Sequence, residues 1–197
     1  MIQLEYFTPA DFKQLIQWID NEQLMKEWSG SLFSFPLTEA SLTWYIEGAN
    51  DLTDPDAFIY KAIDTETGET VGHISLGSFS ETNKAARITR VLIGNTAVRG
   101  RGYCQGMIKA VLRIGFEELG LHRISLGVYD FNQAAIGCYK KAGMKTEGIM
   151  RDVVRYKDGY WSLVEMAILE DEWRLANAPA ESLTATHTTA TSTNVAV

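Results

Sequence analysis

The chain has 197 residues, enough for one domain, and its 46% hydrophobic and 22% charged residues are typical of a globular protein. The formal net charge of −7 argues against broad nucleic-acid binding, which needs many basic side chains. The sequence has neither the run of about 18 apolar residues that spans a membrane nor the basic and apolar regions of a secretory signal. We therefore expect a cytoplasmic protein that binds neither nucleic acid nor membrane.

The N-terminal part of the chain predicts two helices. Thr8 and Pro9 form a helix start, and apolar residues follow them at helical spacing. A second helix is expected after Pro36, with Thr38 as its N-cap. The segment between them, residues 28–35, mixes aromatic residues with serine and glycine, and we predict a loop.

The rest of the chain alternates between two periodicities. Strands are predicted where every second residue is apolar or where short apolar runs end at turns, and helices where apolar residues recur every three to four positions. The predicted strands are 57–63, 70–76, 88–93, 123–128, 145–155 and 160–169, and the predicted helices are 102–119 and 133–142. These elements predict an α/β (α+β) domain with a mostly antiparallel sheet.

The C-terminal residues differ in composition from the rest. From Ala176 onward the sequence is rich in alanine, threonine and serine and contains almost no large apolar side chain. Such a segment buries too little surface to offset the entropy lost on ordering. We therefore expect one domain over residues 1–175 and a disordered tail over residues 176–197.

The two cysteines, Cys104 and Cys138, lie in the two helices predicted for the second half of the chain. Neither has a cysteine or histidine partner at the spacing of a metal site. We expect both to be small core residues, with no disulfide and no bound metal.

The segment from Val91 to Cys104 carries the clearest chemical signal. An apolar strand leads into a loop that alternates glycine and arginine, and the loop runs directly into a long helix. Glycines let a phosphate approach the backbone, the helix start presents unpaired N–H groups, and Arg99 and Arg101 add positive charge. The pattern predicts a pyrophosphate site. The alternative is that the glycines only shape the turn before the helix.

Two motifs resemble those of the GNAT superfamily of N-acetyltransferases. Arg99, Gly102 and Cys104 occupy the Arg/Gln-x-x-Gly-x-Gly/Ala pattern of its motif A, with cysteine where the family prefers glycine or alanine. The segment from Val128 to Gly148 is similar to the later family element V…N…AI…Y…G…EG. The joins at residues 120–124 and 158–161 resemble the branch of ribosomal-protein N-terminal and spermidine acetyltransferases.

The resemblance, which is specific from about Ile88 to Met166, implies a fold and a co-substrate. The implied GNAT fold has a mixed, mostly antiparallel sheet of about six or seven strands, splayed at its centre and flanked by about four helices. Acetyl-CoA is the implied co-substrate, with its pantetheine arm between the strands that end at Ile93 and Val128. The implied acetyl-CoA-binding residues are Val91, Leu92, Ile93, Arg99, Gly100, Arg101, Gly102, Tyr103, Cys104 and Asn132.

Tyr139 is the catalytic residue that the resemblance implies. When an amine attacks the thioester, the departing sulfur becomes anionic, and a nearby phenol can give it a proton. The alternative for Tyr139 is a packing role, because apolar residues precede it by one helical turn. Asn132 similarly can contact the cofactor arm, cap the helix that begins at Gln133, or do both.

The general base is not assigned. Many relatives in this branch have a glutamate near the position of Ile88, which cannot take a proton. Glu165, His73 and water-mediated deprotonation are alternatives without a motif, and a lone strand histidine is more often structural than catalytic. The aromatic residues that are expected to line the acceptor pocket, or else to belong to the core, are Trp28, Phe33, Phe35, Tyr160 and Trp161.

Three functions are compatible with these observations. The favoured one is direct transfer of an acetyl group from acetyl-CoA to a primary amine, which is a protein N-terminus, a polyamine or a small molecule. The missing strand glutamate motivates the alternative of a non-catalytic acyl-CoA-binding or regulatory domain. A third is nucleotide binding by the glycine–arginine loop without CoA. A homodimer is compatible with the resemblance.

Overall fold

A computed structural model describes residues 1–53, 56–94 and 101–178 and contains one seven-stranded sheet in that part of the chain. The strands are β1 (Ile2–Tyr6), β2 (Ala57–Asp64), β3 (Thr70–Ser80), β4 (Ala85–Ile93), β5 (Arg123–Tyr129), β6 (Lys145–Tyr156) and β7 (Gly159–Leu169). Their order across the sheet is β1-β2-β3-β4-β5-β7-β6. The expected mixed, mostly antiparallel sheet is confirmed, because only β4 and β5 pair in parallel.

Six α-helices flank the sheet within the described residues, two more than the sequence predicted. They are α1 (Phe12–Trp18), α2 (Glu22–Ser29), α3 (Glu39–Tyr45), α4 (Tyr103–Arg113), α5 (Gln133–Lys141) and α6 (Glu170–Ala176). A 3-10 turn, Pro9–Asp11, precedes α1, and a π-helical segment, Ile114–Glu118, continues α4. No helix in the described part of the chain has the length and apolar character needed to cross a bilayer.

The sheet separates two apolar cores. On one face, α4 and α5 cover the central strands, and Met107, Ile108, Val111 and Leu112 of α4 are fully buried there. On the other face, α1, α2 and α3 enclose a second core in which aromatic side chains are prominent. Burial of apolar surface on both faces stabilises the central strands, which is why β3 is buried over most of its length.

Two predictions near the N-terminus were incomplete. β1 was missed, although residues 2–6 alternate apolar and polar side chains, which is the strand signal. The predicted loop over residues 28–35 begins inside α2, whose N-cap Asn21 accepts a 2.9 Å hydrogen bond from the Leu24 amide. The predicted N-cap Thr38 is confirmed, because its side chain accepts from the Ser41 amide.

At the other end of the chain, α6 extends the ordered part to Ala176, one residue past the predicted domain limit. Its Trp173 is buried against Phe116, with the ring centroids 5.9 Å apart. The predicted disordered tail falls almost entirely on residues 179–197, which lie outside the described residues.

The expectation that the two cysteines are unpaired was wrong. Cys104, in the first turn of α4, forms a disulfide with Cys138 of α5, with their Cα atoms 6.3 Å apart. A second link joins the same helices, because the Gln105 side chain donates a 2.9 Å hydrogen bond to the Lys141 carbonyl. The helix that begins at the predicted phosphate loop is therefore tied covalently to the helix that carries Tyr139.

Candidate active site

The site is built where β4 and β5 part. Their parallel ladder covers only Ala85–Arg87 on β4 and Arg123–Ser125 on β5. Beyond these pairs β4 continues to Ile93 and β5 to Tyr129, so one edge of each strand faces its neighbour without pairing to it. Unpaired strand edges present N–H and C=O groups that can pair with an extended ligand, as the resemblance implies for the pantetheine arm.

A β-bulge in β4 lies at the start of this gap. Ser75 pairs with Thr89 and His73 with Leu92, so two residues of β4, Arg90 and Val91, oppose one residue of β3. Arg90 adopts a left-handed conformation with φ of 53°. Bulges bend a strand and increase its twist, which gives a physical reason for β4 to diverge from β5 at this point.

The bulged carbonyl of Arg90 is held by two side chains. The Trp28 indole N–H donates to it at 3.0 Å, and His73 Nδ1 lies 3.1 Å from the same oxygen. Because a carbonyl only accepts, His73 Nδ1 must carry its proton. Trp28 from α2 and His73 from β3 thus fix the bulge, and His73 has a structural role that sequence reasoning described only in general terms.

The parted strands enclose a cavity of about 240 Å³. It is lined by β4 from Arg87 to Val91, by β5 from Leu126 to Tyr129, and by residues of α2, α5 and β7. The lining residues with polar side chains or a predicted role are Glu27, Trp28, Ser29, Arg87, Thr89, Arg90, Val91, Tyr129, Asn132 and Tyr139. The predicted acid, one predicted strand residue and the predicted contact Asn132 therefore meet in a single cleft.

Tyr139 lies on the buried face of α5 and is 6% exposed. Burial raises the pKa of its phenol above the usual value, so the hydroxyl keeps its proton at physiological pH. A neutral phenol at the cleft is a hydrogen-bond and proton donor for a leaving thiolate. The placement is compatible with the predicted catalytic role, which stays a prediction.

Asn132 is the N-cap of α5, where its side-chain oxygen accepts a 3.1 Å hydrogen bond from the Ala135 amide. This confirms the capping interpretation of the sequence. Asn132 also lines the cavity, so its side-chain amide nitrogen and its backbone remain compatible with a contact to the cofactor arm. Both interpretations of this residue are compatible with the geometry.

The start of α4 holds the predicted phosphate loop. Gly102 is the N-cap of α4 with φ of 79°, and no atom lies within 4 Å of the position that a Cβ would take. A backbone that is open and glycine-dependent at a helix start suits the approach of an anion. Arg101 is exposed beside it, whereas Arg99 and Gly100 lie outside the described residues.

Four other predicted cofactor residues have side chains engaged with protein. The Tyr103 hydroxyl donates a 2.7 Å hydrogen bond to Asp64, and Cys104 is in the disulfide, so only their backbone groups can serve a phosphate. The Leu92 side chain is buried in the core under α1–α3, and Ile93 packs against the opposite core. The predicted contribution of Leu92 and Ile93 to acetyl-CoA binding is therefore confined to their main chain, and it stays a prediction.

A partly buried ion pair lies where the two strands part. Arg87 donates to both oxygens of Glu165, at 2.8 and 2.6 Å. A Cβ on Gly127 of β5 would lie 2.7 Å from the Arg87 guanidinium, so the glycine makes room for it. Because Glu165 is committed to this bidentate pair, the geometry weighs against its suggested role as the general base.

His73 is also poorly placed to be a base. It is 1% exposed, and burial lowers the pKa of its imidazole to about 4. Its ring lies against the aromatic rings of Phe7, Trp28 and Tyr45. A neutral, buried imidazole packed among aromatic rings supports the structural role described above.

The buried His73 predicts an acid-sensitive stability. Between pH 6.5 and about 4 the unfolded chain binds a proton at this position and the folded chain does not, so stability falls as pH falls through this window. We expect His73 to lower the free energy of unfolding by about 2 kcal/mol when the pH falls from 7.5 to 5. In His73→Gln, which keeps an N–H donor, urea denaturation at the two pH values should show a correspondingly smaller loss.

The exposed His122 provides the matched control. His122→Gln should keep the pH dependence of the wild-type protein. An equal loss of stability in the wild type and in His73→Gln would show that His73 is not held neutral by burial.

Glu27 is a site residue that sequence reasoning missed. It lies on α2 next to Trp28, lines the cavity, and accepts a 2.9 Å hydrogen bond from the Gln23 side chain. Burial and, to a smaller extent, the negative charge of Glu27 raise the pKa of the phenol of Tyr129, which lines the same cavity. The signal that could have found it is α2 itself, whose apolar residues recur at helical spacing after Asn21.

Of the five aromatic residues suggested for the acceptor pocket, three lie at the cleft or beside it. Trp28 lines the cavity, and Phe33 stacks on it with centroids 5.6 Å apart. Trp161 packs edge-on against Tyr129, which also lines the cavity, and against Phe131. Phe35 and Tyr160 are 43% and 59% exposed.

Comparison with known proteins identifies the family of the chain. The profile of the acetyltransferase (GNAT) domain matches residues 2–145. The uncharacterised N-acetyltransferase YnaD of Bacillus subtilis is 33% identical over 79 residues, which cover 40% of this chain and 46% of that protein. An aminoglycoside N(6')-acetyltransferase type 1 of Klebsiella pneumoniae is 22% identical over 75% of each chain.

The fold is shared with solved structures. Spermidine N-acetyltransferase from Vibrio cholerae, solved with CoA and spermine, superposes with a TM-score of 0.74 at 20% identity, over 87% of this chain and 97% of that one. The chain belongs to the GNAT acetyltransferase domain family, as an N-acetyltransferase with acetyl-CoA as its co-substrate.

Proposed function

We propose that the chain transfers the acetyl group of acetyl-CoA directly to a primary amine bound in the cleft between β4 and β5. The observation that carries the proposal is the parting of these strands beyond Arg87 and Ser125, with Tyr139 at the resulting cavity. Proximity of two bound reactants removes a large entropic barrier, so a cleft that holds both supplies much of the rate.

Main-chain groups hold the co-substrate in this proposal. The free edge of β4 from Val91 to Ile93 pairs with the pantetheine amides, and one of its N–H groups polarises the thioester carbonyl. The start of α4 at Gly102, with Arg101 and the preceding arginine loop, receives the pyrophosphate. The open space at Gly102 and the unpaired edge of β4 support this placement.

The reaction then proceeds in a balanced sequence. The neutral amine nitrogen attacks the thioester carbonyl carbon, a C–N bond forms, and the C–S bond breaks as the tetrahedral adduct collapses. Tyr139 gives its phenolic proton to the departing sulfur, and the proton lost by the acetylated nitrogen restores the phenol directly or through solvent. The products are an N-acetylated amine and the free CoA thiol.

We also propose a cellular compartment and a domain limit. The sequence leads us to assign the chain to the cytoplasm and its domain to residues 1–175. The disulfide between α4 and α5 weighs against the cytoplasm, because disulfides persist mainly in oxidising compartments. Fractionation of the native host decides the compartment, and light scattering of the purified chain decides whether it forms the expected homodimer.

Activity with a panel of amines tests the proposal. The purified full chain is incubated with acetyl-CoA and, separately, with N-terminal peptides, polyamines, aminoglycosides and amino acids. We expect thiol release and a product heavier by one acetyl group with at least one class. Tight CoA binding by calorimetry without any acetylated product would favour the non-catalytic alternative.

A further inference from the structure

We propose that the preferred acceptor carries a carboxylate beside its reactive amine, with Arg90 binding the carboxylate and Glu27 the amine. The acceptor is thus a small zwitterion of the amino-acid type. This inference rests on the proposed acetyl transfer and adds a substrate class to it. It follows from two opposite charges that line the same cavity.

Arg90 carries a positive charge that no carboxylate balances within the described residues. Its Nη1 donates to the neutral Thr89 hydroxyl at 2.9 Å and lies 3.4 Å from Ser75 Oγ. Its Nε is buried and has no hydrogen-bond partner among those residues. A half-buried guanidinium whose only described partners are neutral is costly unless an anion balances its charge at the nitrogens that remain exposed.

The bulge fixes where this guanidinium lies. The Arg90 main chain is held by Trp28 and His73 through its carbonyl, and its guanidinium carbon lies 4.8 Å from the centre of the Tyr45 ring. The side chain is therefore on the side of the sheet covered by α1–α3, beside Trp28 at the cavity wall. Arg90 belongs to β4, whose free edge is proposed to hold the thioester. An acceptor bound to Arg90 would therefore lie near the thioester carbon.

Glu27 supplies the opposite charge in the same cavity. It forms no ion pair with Arg90 or with any other described cation, and its one described partner is the neutral Gln23 amide. Two opposite charges in one small cavity that do not neutralise each other can both be satisfied by a ligand with an ammonium and a carboxylate. Glu27 then also stands where it can accept the proton that the amine must lose before attack.

The remaining charges near the cleft do not change this balance. Arg87 lines the cavity, but Glu165 neutralises it with a bidentate pair. Among the charged residues that line the cavity, Arg90 and Glu27 therefore remain without an ion-pair partner in the described part of the chain. A polycation would meet repulsion from Arg90, so we expect the chain to differ in acceptor from proteins named for spermidine or aminoglycosides.

Matched acceptor pairs test the inference. Each pair differs only in the carboxylate, for example methionine against 3-(methylthio)propylamine and phenylalanine against phenethylamine, with spermidine as a polycation. For the full chain at saturating acetyl-CoA, kcat/KM should be about ten- to a hundredfold higher for the acid of at least one pair than for its amine. An amine that reacts as well as its acid in every pair, or a preference for spermidine, overturns the inference.

Variants assign the preference to a residue. Arg90→Asn suits the left-handed backbone, because asparagine tolerates positive φ, and it should reduce the ratio of acid to amine kcat/KM to near one. Arg90→Lys retains a charge without the planar fork and should restore part of the ratio. Arg113→Gln, an exposed change on α4, is the control and should keep the wild-type ratio. If Arg90 only covers Tyr45, Arg90→Asn will lower both values equally and the ratio will persist, which overturns its assigned role.

The failures of the two proposals are distinguishable. Acetylation of amines without a carboxylate preference overturns this inference and leaves the proposed transfer intact. No acetylation of any member of any class overturns both, and calorimetric CoA binding in the same preparation shows that the protein was folded.

Discussion

Tyr139→Phe is expected to lower kcat by about 10²- to 10⁴-fold, the usual contribution of a general acid, while the dissociation constant of CoA changes little. The physical reason is that phenylalanine preserves the buried ring on α5 and removes only the proton donor at the cleft. Burial raises the pKa of the Tyr139 phenol, so the rate of the wild-type protein should not fall through deprotonation of Tyr139 below pH 10. Stopped-time assays of thiol release and calorimetry with CoA measure the two quantities.

Tyr6→Phe is the matched control for this change. Tyr6 lies on β1, at the far edge of the sheet, and 43% of its side chain is exposed. Its loss of one hydroxyl should leave kcat at the wild-type value. A Tyr139→Phe protein with unchanged kcat, or with kcat and CoA affinity reduced in parallel, would assign Tyr139 to packing and contradict the acid role.

Loss of the disulfide is expected to lower the unfolding free energy by about 3–4 kcal/mol, from the entropy of closing a loop with a sequence separation of 34 residues. Urea denaturation of the oxidised chain with and without a dithiol reductant measures the difference. The double variant Cys104→Ser, Cys138→Ser should resemble the reduced protein and should not respond to the reductant.

The presence of the Cys104–Cys138 disulfide can also be tested chemically. Mass analysis after alkylation of the unreduced full chain should find both cysteines protected. Two alkylated thiols in air-oxidised protein, or an identical denaturation midpoint with and without reductant, would contradict it.

Most of the fold could be predicted because its elements carry local signals. The strand and helix limits from residue 57 to residue 169 agree with the sequence predictions to within a few residues at most ends, since periodicity changes between two and 3.6 at each junction. Local sequence patterns do not specify how residues distant in the sequence pair with each other. The bulge at Arg90 is defined only by its opposition to β3, and the disulfide only by the packing of α4 on α5.

Some residues of the candidate site could also be predicted from the sequence, and others could not. Tyr139 and Asn132 could be predicted because they belong to a contiguous motif, and their helix brings them to the cleft together. Glu27 and Arg90 could not, because the importance of each depends on a charge that lies more than sixty positions away in the sequence. Glu27 comes from a helix that carries no motif, and the sequence pattern identifies Arg90 only as part of the predicted strand 88–93.

The bulge makes the border of the cleft sensitive to a change of chain length as a lineage evolves. Deleting the codon for Arg90 would restore one-to-one pairing between the Ser75–Thr89 and His73–Leu92 pairs, because the bulge adds one residue opposite Ile74. The same deletion would remove the carbonyl that Trp28 and His73 hold, and with it a link between α2 and β4. We therefore expect an in-frame insertion or deletion here to disturb the cleft more than most substitutions in β4.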